Sequence, residues 1–420
     1  MKVFDSKILS FLFSNYLIKG IGYSTQILLV YILTVEELGH VRIAMSYFEL
    51  FNIIAGCGLT TTLLKINSNN KITSENKIEN TVSSLVFSFW FSLLVSLCVY
   101  MSFSLGLLTD SIEVNTLGKV LSISIILSSI VNILVINFQV SGRFKDLAKS
   151  QAISKLLSFT IFFPLVYYFE MIGYVYYIYI GFLITIIIIL IFDVGVNFKD
   201  FLFRLFVFRT TIGFYINNFK LSIYALLSNI LSVINKYAAI YLISFIGVDN
   251  KEFGLYSISL TMFVLLEIIT YTIQQYFLPK LSFDSDSQEK WTSTFKYIEC
   301  KTITVHGVIA LISSMMIYFV VDNFFIEYIK VAYYFCILAF SWFLMSFYSI
   351  KGPAMISLGK TEFNFMASAI VFIPIILLSY YFVNEFGVLG VAFAKVMQCF
   401  FSILSNHYFL KKALINVYKN

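Results

Sequence analysis

Long stretches almost free of charge recur along this 420-residue chain, and that recurrence constrains its fold more than any other feature. Apolar runs bounded by polar residues fall at about 8–34, 39–64, 82–108, 118–141, 150–169 and 171–192. Six more fall at about 221–246, 253–279, 297–321, 330–356, 363–383 and 387–410. A hydrocarbon core of about 30 Å takes about 20 helical residues to cross, so each run has the length of a membrane span. The pattern predicts an all-α integral membrane protein with twelve transmembrane helices, six on either side of a polar-aromatic stretch at 193–219. Only 12% of residues are charged and 59% are apolar. That balance excludes a soluble globular domain, a disordered chain and a fibrous repeat. A membrane β-barrel would alternate polar and apolar positions in segments of about 10 residues, and these runs are unbroken.

Seven residues precede the first run, which shows no small-residue cleavage pattern, so a retained first helix is expected. Cys57, Cys98, Cys300, Cys336 and Cys399 sit in or beside apolar runs without CxxC spacing, which argues against a disulfide framework or a metal site. No Walker A, HExxH or GxSxG pattern is present, so no nucleotide, metal or other cofactor is expected.

Cation placement sets the orientation, because cytoplasmic loops of membrane proteins are enriched in Lys and Arg. One set of loops, with both termini, holds 20 of the 29 cations, among them Lys2, Lys7, Lys65, Arg143, Lys199, Lys280, Lys351, Lys360 and Lys412. The alternate loops have only Arg42, Lys119, Lys251 and Lys330 nearby and carry acidic residues such as Glu37, Asp110, Glu170 and Glu252. Both termini are therefore expected in the cytoplasm. The basic loops suit anionic lipid headgroups, and no nucleic-acid partner is expected.

The halves align at an offset near 216. Glu37-Leu38-Gly39 matches Glu252-Phe253-Gly254, Gly142-Arg143 matches Gly359-Lys360, and Gly173 matches Gly390. Matched runs cross in the same direction, which predicts two six-helix lobes related by a pseudo-two-fold axis along the membrane normal. The expected parts are an N-terminal lobe at 1–192, a cytoplasmic linker at 193–219 and a C-terminal lobe at 220–420. The linker spaces Phe198, Phe201, Leu202, Leu205 and Phe208 as on one face of a helix. It is either an amphipathic helix on the inner leaflet or a charged connector.

A charge at the bilayer centre costs about 2.5–3.5 kcal/mol on insertion scales, so each one needs a reason. Lys19 in the first run matches Lys236 in the seventh, and Glu49 in the second matches Glu267 in the eighth. Either the pairs Lys19–Glu49 and Lys236–Glu267 are structural, or they line a wet cavity. In a cavity the lysines would bind an anionic group and a glutamate would exchange H+ or Na+. Lys395 in the last run has no counterpart at the repeat offset, and it faces either the same cavity or a local partner. Lys155, Glu299 and Lys301 lie near run ends and are expected to snorkel to the interface. His306 is read as a core or interfacial residue.

Several short segments carry a family resemblance. Leu33-Thr34-Val35-Glu36-Glu37-Leu38-Gly39 resembles the outer turn between the first two helices of Wzx-type polysaccharide flippases, members of the multidrug/oligosaccharidyl-lipid/polysaccharide exporter superfamily. The segment from Ile246 to Ser257 resembles the equivalent turn of their second lobe, Pro279 the proline closing helix eight, and Phe386 to Ala392 the start of helix twelve. An arginine common before the first turn in that family is replaced by Tyr31 and Leu33. The resemblance implies transport of undecaprenyl-pyrophosphate-linked repeat units across the bacterial cytoplasmic (inner) membrane, for O-antigen or lipopolysaccharide assembly. It also implies membrane lipids, a coupling H+ or Na+, a polysaccharide polymerase and a chain-length regulator as partners. A multidrug/cation antiporter of the same superfamily would want an acidic cavity. A polytopic enzyme of polysaccharide assembly would carry a large outer loop. A major-facilitator transporter would carry a Gly/Asp/Arg-rich loop at 65–81. The deep charges here include three lysines, the outer loops are short, and residues 65–81 lack that signature.

Overall fold

A computed structural model describes residues 20, 24–25, 28–67, 72–192, 208–246, 250–285 and 287–418. Among them the secondary structure is entirely helical. The helices are α1 (Val35–Ala55), α2 (Leu59–Asn67), α3 (Ser74–Ser104), α4 (Ile112–Val140), α5 (Phe144–Phe192), α6 (Phe208–Asn217) and α7 (Phe219–Ile246). They continue with α8 (Asn250–Asp284), α9 (Gln288–Phe324), α10 (Ile329–Met345), α11 (Lys351–Ser357) and α12 (Thr361–Tyr418). Among the described residues, eight helices are long and apolar enough to cross a membrane, or nine if the bent pair α1–α2 counts as one span.

Two of them are too long for one crossing. At about 1.5 Å per residue, 49 residues of α5 and 58 of α12 exceed two 30 Å cores. Each is two helices joined at a kink, at Glu170 (φ 50°, ψ −129°) and at Gly387 (φ 55°, ψ −132°). The same backbone device thus recurs 217 residues apart. Glycine reaches that conformation freely, while the Cβ of Glu170 makes it a strained position worth about 1–3 kcal/mol.

A second device recurs at the same offset. Gly142 (φ 68°) ends α4 and Gly359 (φ 74°) ends α11. Beyond them the Arg143 N–H donates to the Phe138 carbonyl and the Lys360 N–H to the Met355 carbonyl, closing each helix with a left-handed cap.

Two apolar runs are not single straight helices. The run at 39–64 bends by 48° between α1 and α2, at Gly56-Cys57-Gly58, where Cys57 (φ 48°) and Gly58 (φ 70°) are both left-handed. The run at 330–356 is interrupted at 346–350 by a tight turn between α10 and α11.

The chain divides into two compact units, one of Met1–Thr34 with Val41–Ile230 and one of Val35–His40 with Leu231–Asn420. In the first unit, α3 and α4 meet through small hydroxyl residues. Ser88 and Ser129 share a hydrogen bond at 2.5 Å, and the Ser96 hydroxyl donates to the Ser122 carbonyl at 2.7 Å. Leu63, Val86, Ile133, Leu134 and Phe138 fill the core beside them. The expected linker helix lies outside the described residues up to 207. Beyond it, α6 packs Phe214 and Tyr215 against this core, with Tyr215 stacked on Phe87 at 4.5 Å and accepting from the Cys57 thiol at 3.1 Å. Burial pushes the Tyr215 phenol above its ordinary range, so it stays neutral.

In the second unit, one core centres on Trp291, Phe295, Met355, Phe363 and Phe409, and a smaller one on Ala238, Val371 and Ile375. The smaller core places α7 against both halves of α12, with Met397 and Phe401 packed around it.

Candidate functional site

The second unit gathers three of the intramembrane charges anticipated from the sequence. Lys236 lies on α7, ten residues before its end at Ile246. Its ammonium donates to Glu267 Oε2 on α8 at 3.0 Å. The lysine side chain is 32% exposed and the carboxylate 16%. The Lys236 nitrogen also lies 5.0 Å from the centre of the Tyr237 ring, where an aromatic face stabilises a cation.

Lys395 on the second half of α12 is half-buried and interacts electrostatically with Glu267, Lys236 and the Cys399 thiol. α7, α8 and α12 thus bring Lys236, Glu267 and Lys395 into one group. Among the described residues, one carboxylate stands against two lysines, which gives the group one excess positive charge when both lysines are protonated. Away from bulk water such a charge attracts an anion much more strongly than at a solvated surface.

Tyr348, in the turn between α10 and α11, reaches the edge of this group. Its hydroxyl meets the Cys399 sulfur at 3.8 Å and the Ser402 hydroxyl. Lys395, Cys399 and Ser402 fall on one face of α12, at spacings of four and three residues. Among the described residues, two amide oxygens on the same helices, Asn235 Oδ1 and Gln398 Oε1, are buried without a hydrogen-bond partner.

The first unit's expected pair is Lys19 with Glu49. Glu49 sits half-buried on α1, while Lys19 lies outside the described residues. Among the described residues, no three His, Cys, Asp or Glu side chains converge as metal ligands, and all five cysteines are free thiols.

Two further polar groups are settled by the structure, one against expectation and one in line with it. Lys351 was expected among the solvated cations of the basic loops. It is instead buried, 8% exposed at the side chain, and paired with Glu299 on α9 at 2.9 Å. Glu299 is therefore held by this pair rather than snorkelling. His306 on α9 is a satisfied core residue. Trp342 Nε1–H donates to the Thr270 hydroxyl at 2.9 Å, and that hydroxyl lies 2.6 Å from His306 Nε2. His306 Nδ1 lies 2.8 Å from the Thr302 carbonyl, which can only accept. Nδ1 therefore carries a hydrogen, and Nε2 is placed to accept the one proton the Thr270 hydroxyl can give. The ring also stacks on Trp342 at 4.0 Å.

Long apolar helices, two of them kinked midway, mark a multi-pass membrane protein. Over 98% of both chains the structure matches a eukaryotic MATE transporter, AtDTX14, with a TM-score of 0.73 at 14% identity. It matches the lipid II flippase MurJ in an inward closed conformation with a TM-score of 0.71 at 17% identity, over 97% of this chain and 90% of that one. A MOP superfamily transporter from Pyrococcus furiosus matches at 0.66 and 13% identity, over 97% and 96%. At these identities the likeness establishes the fold. No curated protein matches the chain by sequence. Residues 28–329 match the family described as polysaccharide biosynthesis protein, and the chain belongs to that family. The resemblance read from its outer-turn segments agrees with both findings.

Proposed function

We propose that this protein flips undecaprenyl-pyrophosphate-linked oligosaccharide repeat units across the bacterial cytoplasmic membrane by alternating access, for surface polysaccharide such as O-antigen. The observation that carries the reading is the Lys236–Glu267–Lys395 group, with its excess positive charge, in a chain of the polysaccharide biosynthesis family. A pyrophosphate-sugar headgroup cannot cross hydrocarbon unaided, because moving charge out of water costs far more than any lipid anchor returns. Fixed ammonium groups offset that cost.

In this reading Lys236 and Lys395 meet the pyrophosphate, joined by Lys19. Glu267 and Glu49 hold the lysines when substrate is absent and exchange H+ or Na+ during the cycle. Twelve spans form two six-helix lobes about a pseudo-two-fold axis along the membrane normal, with both termini cytoplasmic. The polymerase and the chain-length regulator of the same polysaccharide receive the product on the outer side. The fold shared with MATE transporters supports a second reading, a multidrug/cation antiporter. Two lysines against one glutamate favour an anion and weigh against it.

Complementation separates the two readings. In a flippase-null strain making the cognate glycan, the wild-type gene restores surface polysaccharide. Lys236→Ala and Lys395→Ala reduce it at least tenfold while inserting normally. Rescue of drug resistance without polysaccharide would overturn the proposal.

A further inference from the structure

The turn at 346–350 is held more firmly than a connector between two helices requires. Its backbone closes on itself, with the Phe347, Tyr348 and Lys351 N–H groups donating to the Leu344, Met345 and Tyr348 carbonyls. From α8, the Gln274 amide donates to the Ser349 carbonyl at 2.7 Å. The buried Lys351 ammonium donates to the Phe347 carbonyl and is fixed in turn by Glu299 on α9. Two neighbouring helices therefore fix a five-residue turn, and one uses a buried ion pair. A pair of that kind supplies geometry more dependably than net stability.

The turn presents Tyr348. Its hydroxyl reaches Cys399 and Ser402, the residues four and seven positions after Lys395 on the same face of α12. One turn of helix away, Lys395 interacts with Glu267 and Lys236. We propose that Tyr348 is a positioning residue for Lys395. Its hydroxyl clamps the Cys399–Ser402 turn of α12, so that the Lys395 ammonium stays beside Glu267 and Lys236, and the Glu299–Lys351 pair anchors the clamp. This rests on the reading of Lys395 as an anion ligand. A side chain held by a hydrogen bond from a rigid neighbour is preorganised and loses less freedom when a ligand arrives.

Tyr348→Phe removes only the hydroxyl. The test uses full-length protein in lipid vesicles, with a fluorescent polyprenyl-pyrophosphate-linked disaccharide as probe. Maleimide labelling is followed in parallel in a variant keeping Cys399 alone, the other four cysteines replaced by Ser. Expected for Tyr348→Phe is at least a fivefold rise in half-saturating probe concentration with the maximal rate within twofold. Cys399 labelling should be at least fivefold faster. Unchanged labelling would overturn the clamp. Faster labelling with unchanged half-saturation, while Lys395→Met abolishes transport, would overturn positioning of Lys395. If Lys395→Met also transports normally, the anion-site reading fails instead, and faster labelling in Tyr348→Phe still supports the clamp.

Discussion

The interiors of the two units solve the same problem with different chemistry. Among the described residues, the fully buried polar side chains of the first unit are uncharged, and most are serines: Ser84, Ser88, Ser92, Ser96, Ser124, Ser129, Ser150, Ser154 and Ser158 among them. Many are satisfied within their own helix. The Ser154 and Ser158 hydroxyls donate to the carbonyls of Ser150 and Ser154 at 2.6 and 2.7 Å. A hydroxyl bonded back to the preceding turn makes little demand on its neighbours, so helices can pack closely there without being pinned.

The second unit buries Lys351 and His306 and half-buries Lys236, Glu267 and Lys395. Three of them also take a partner from a neighbouring helix. Lys236 needs α8, Lys351 needs α9, and His306 needs Thr270 of α8. The second unit thus ties its charges across helices, while hydroxyls of the first bond both within a helix, as at Ser154 and Ser158, and between helices, as at Ser88–Ser129 and Ser96–Ser122.

Three substitutions sharpen the contrast, each read as the thermal unfolding midpoint of purified protein in detergent. Lys351→Ala leaves the half-buried Glu299 carboxylate without its partner and is expected to cost about 3 kcal/mol, the largest loss. A change under 1 kcal/mol would mean the pair is solvated. Gly387→Ala forces a Cβ into the kink of α12, at an expected cost of about 1–3 kcal/mol. Its counterpart Glu170→Gly relieves strain that the first unit carries, with an expected gain of about 1 kcal/mol. A loss at Glu170→Gly would show that the glutamate makes a contact outweighing its backbone.

How much of this was legible in the sequence varied with physical cause. The intramembrane pairing of Lys236 with Glu267 could be anticipated, because a charge in hydrocarbon needs a partner and the repeat put one on the neighbouring run. The recurring kinks and left-handed caps left a trace in Gly142, Gly359 and Gly387. Glu170 hid the fourth position, because glutamate resembles any polar loop residue there. Lys351 was illegible for a different reason. A lysine at the end of an apolar run fits the ordinary enrichment of cations in cytoplasmic loops, and only the tertiary placement of Glu299 shows it is buried. The break at 346–350 sits inside a continuous apolar run, so Tyr348 gave no signal in one dimension.

The central claim is that the cationic group of the second unit moves a pyrophosphate-linked saccharide lipid. Translocation of a fluorescent polyprenyl-pyrophosphate-linked saccharide in vesicles, wild type against Lys236→Ala and Lys395→Ala, tests it most directly. The account predicts time-dependent movement to the opposite leaflet by wild type and at least a tenfold slower rate in each variant. Equal rates in all three proteins, or no movement by wild type in vesicles where it exports a cationic drug, would contradict it.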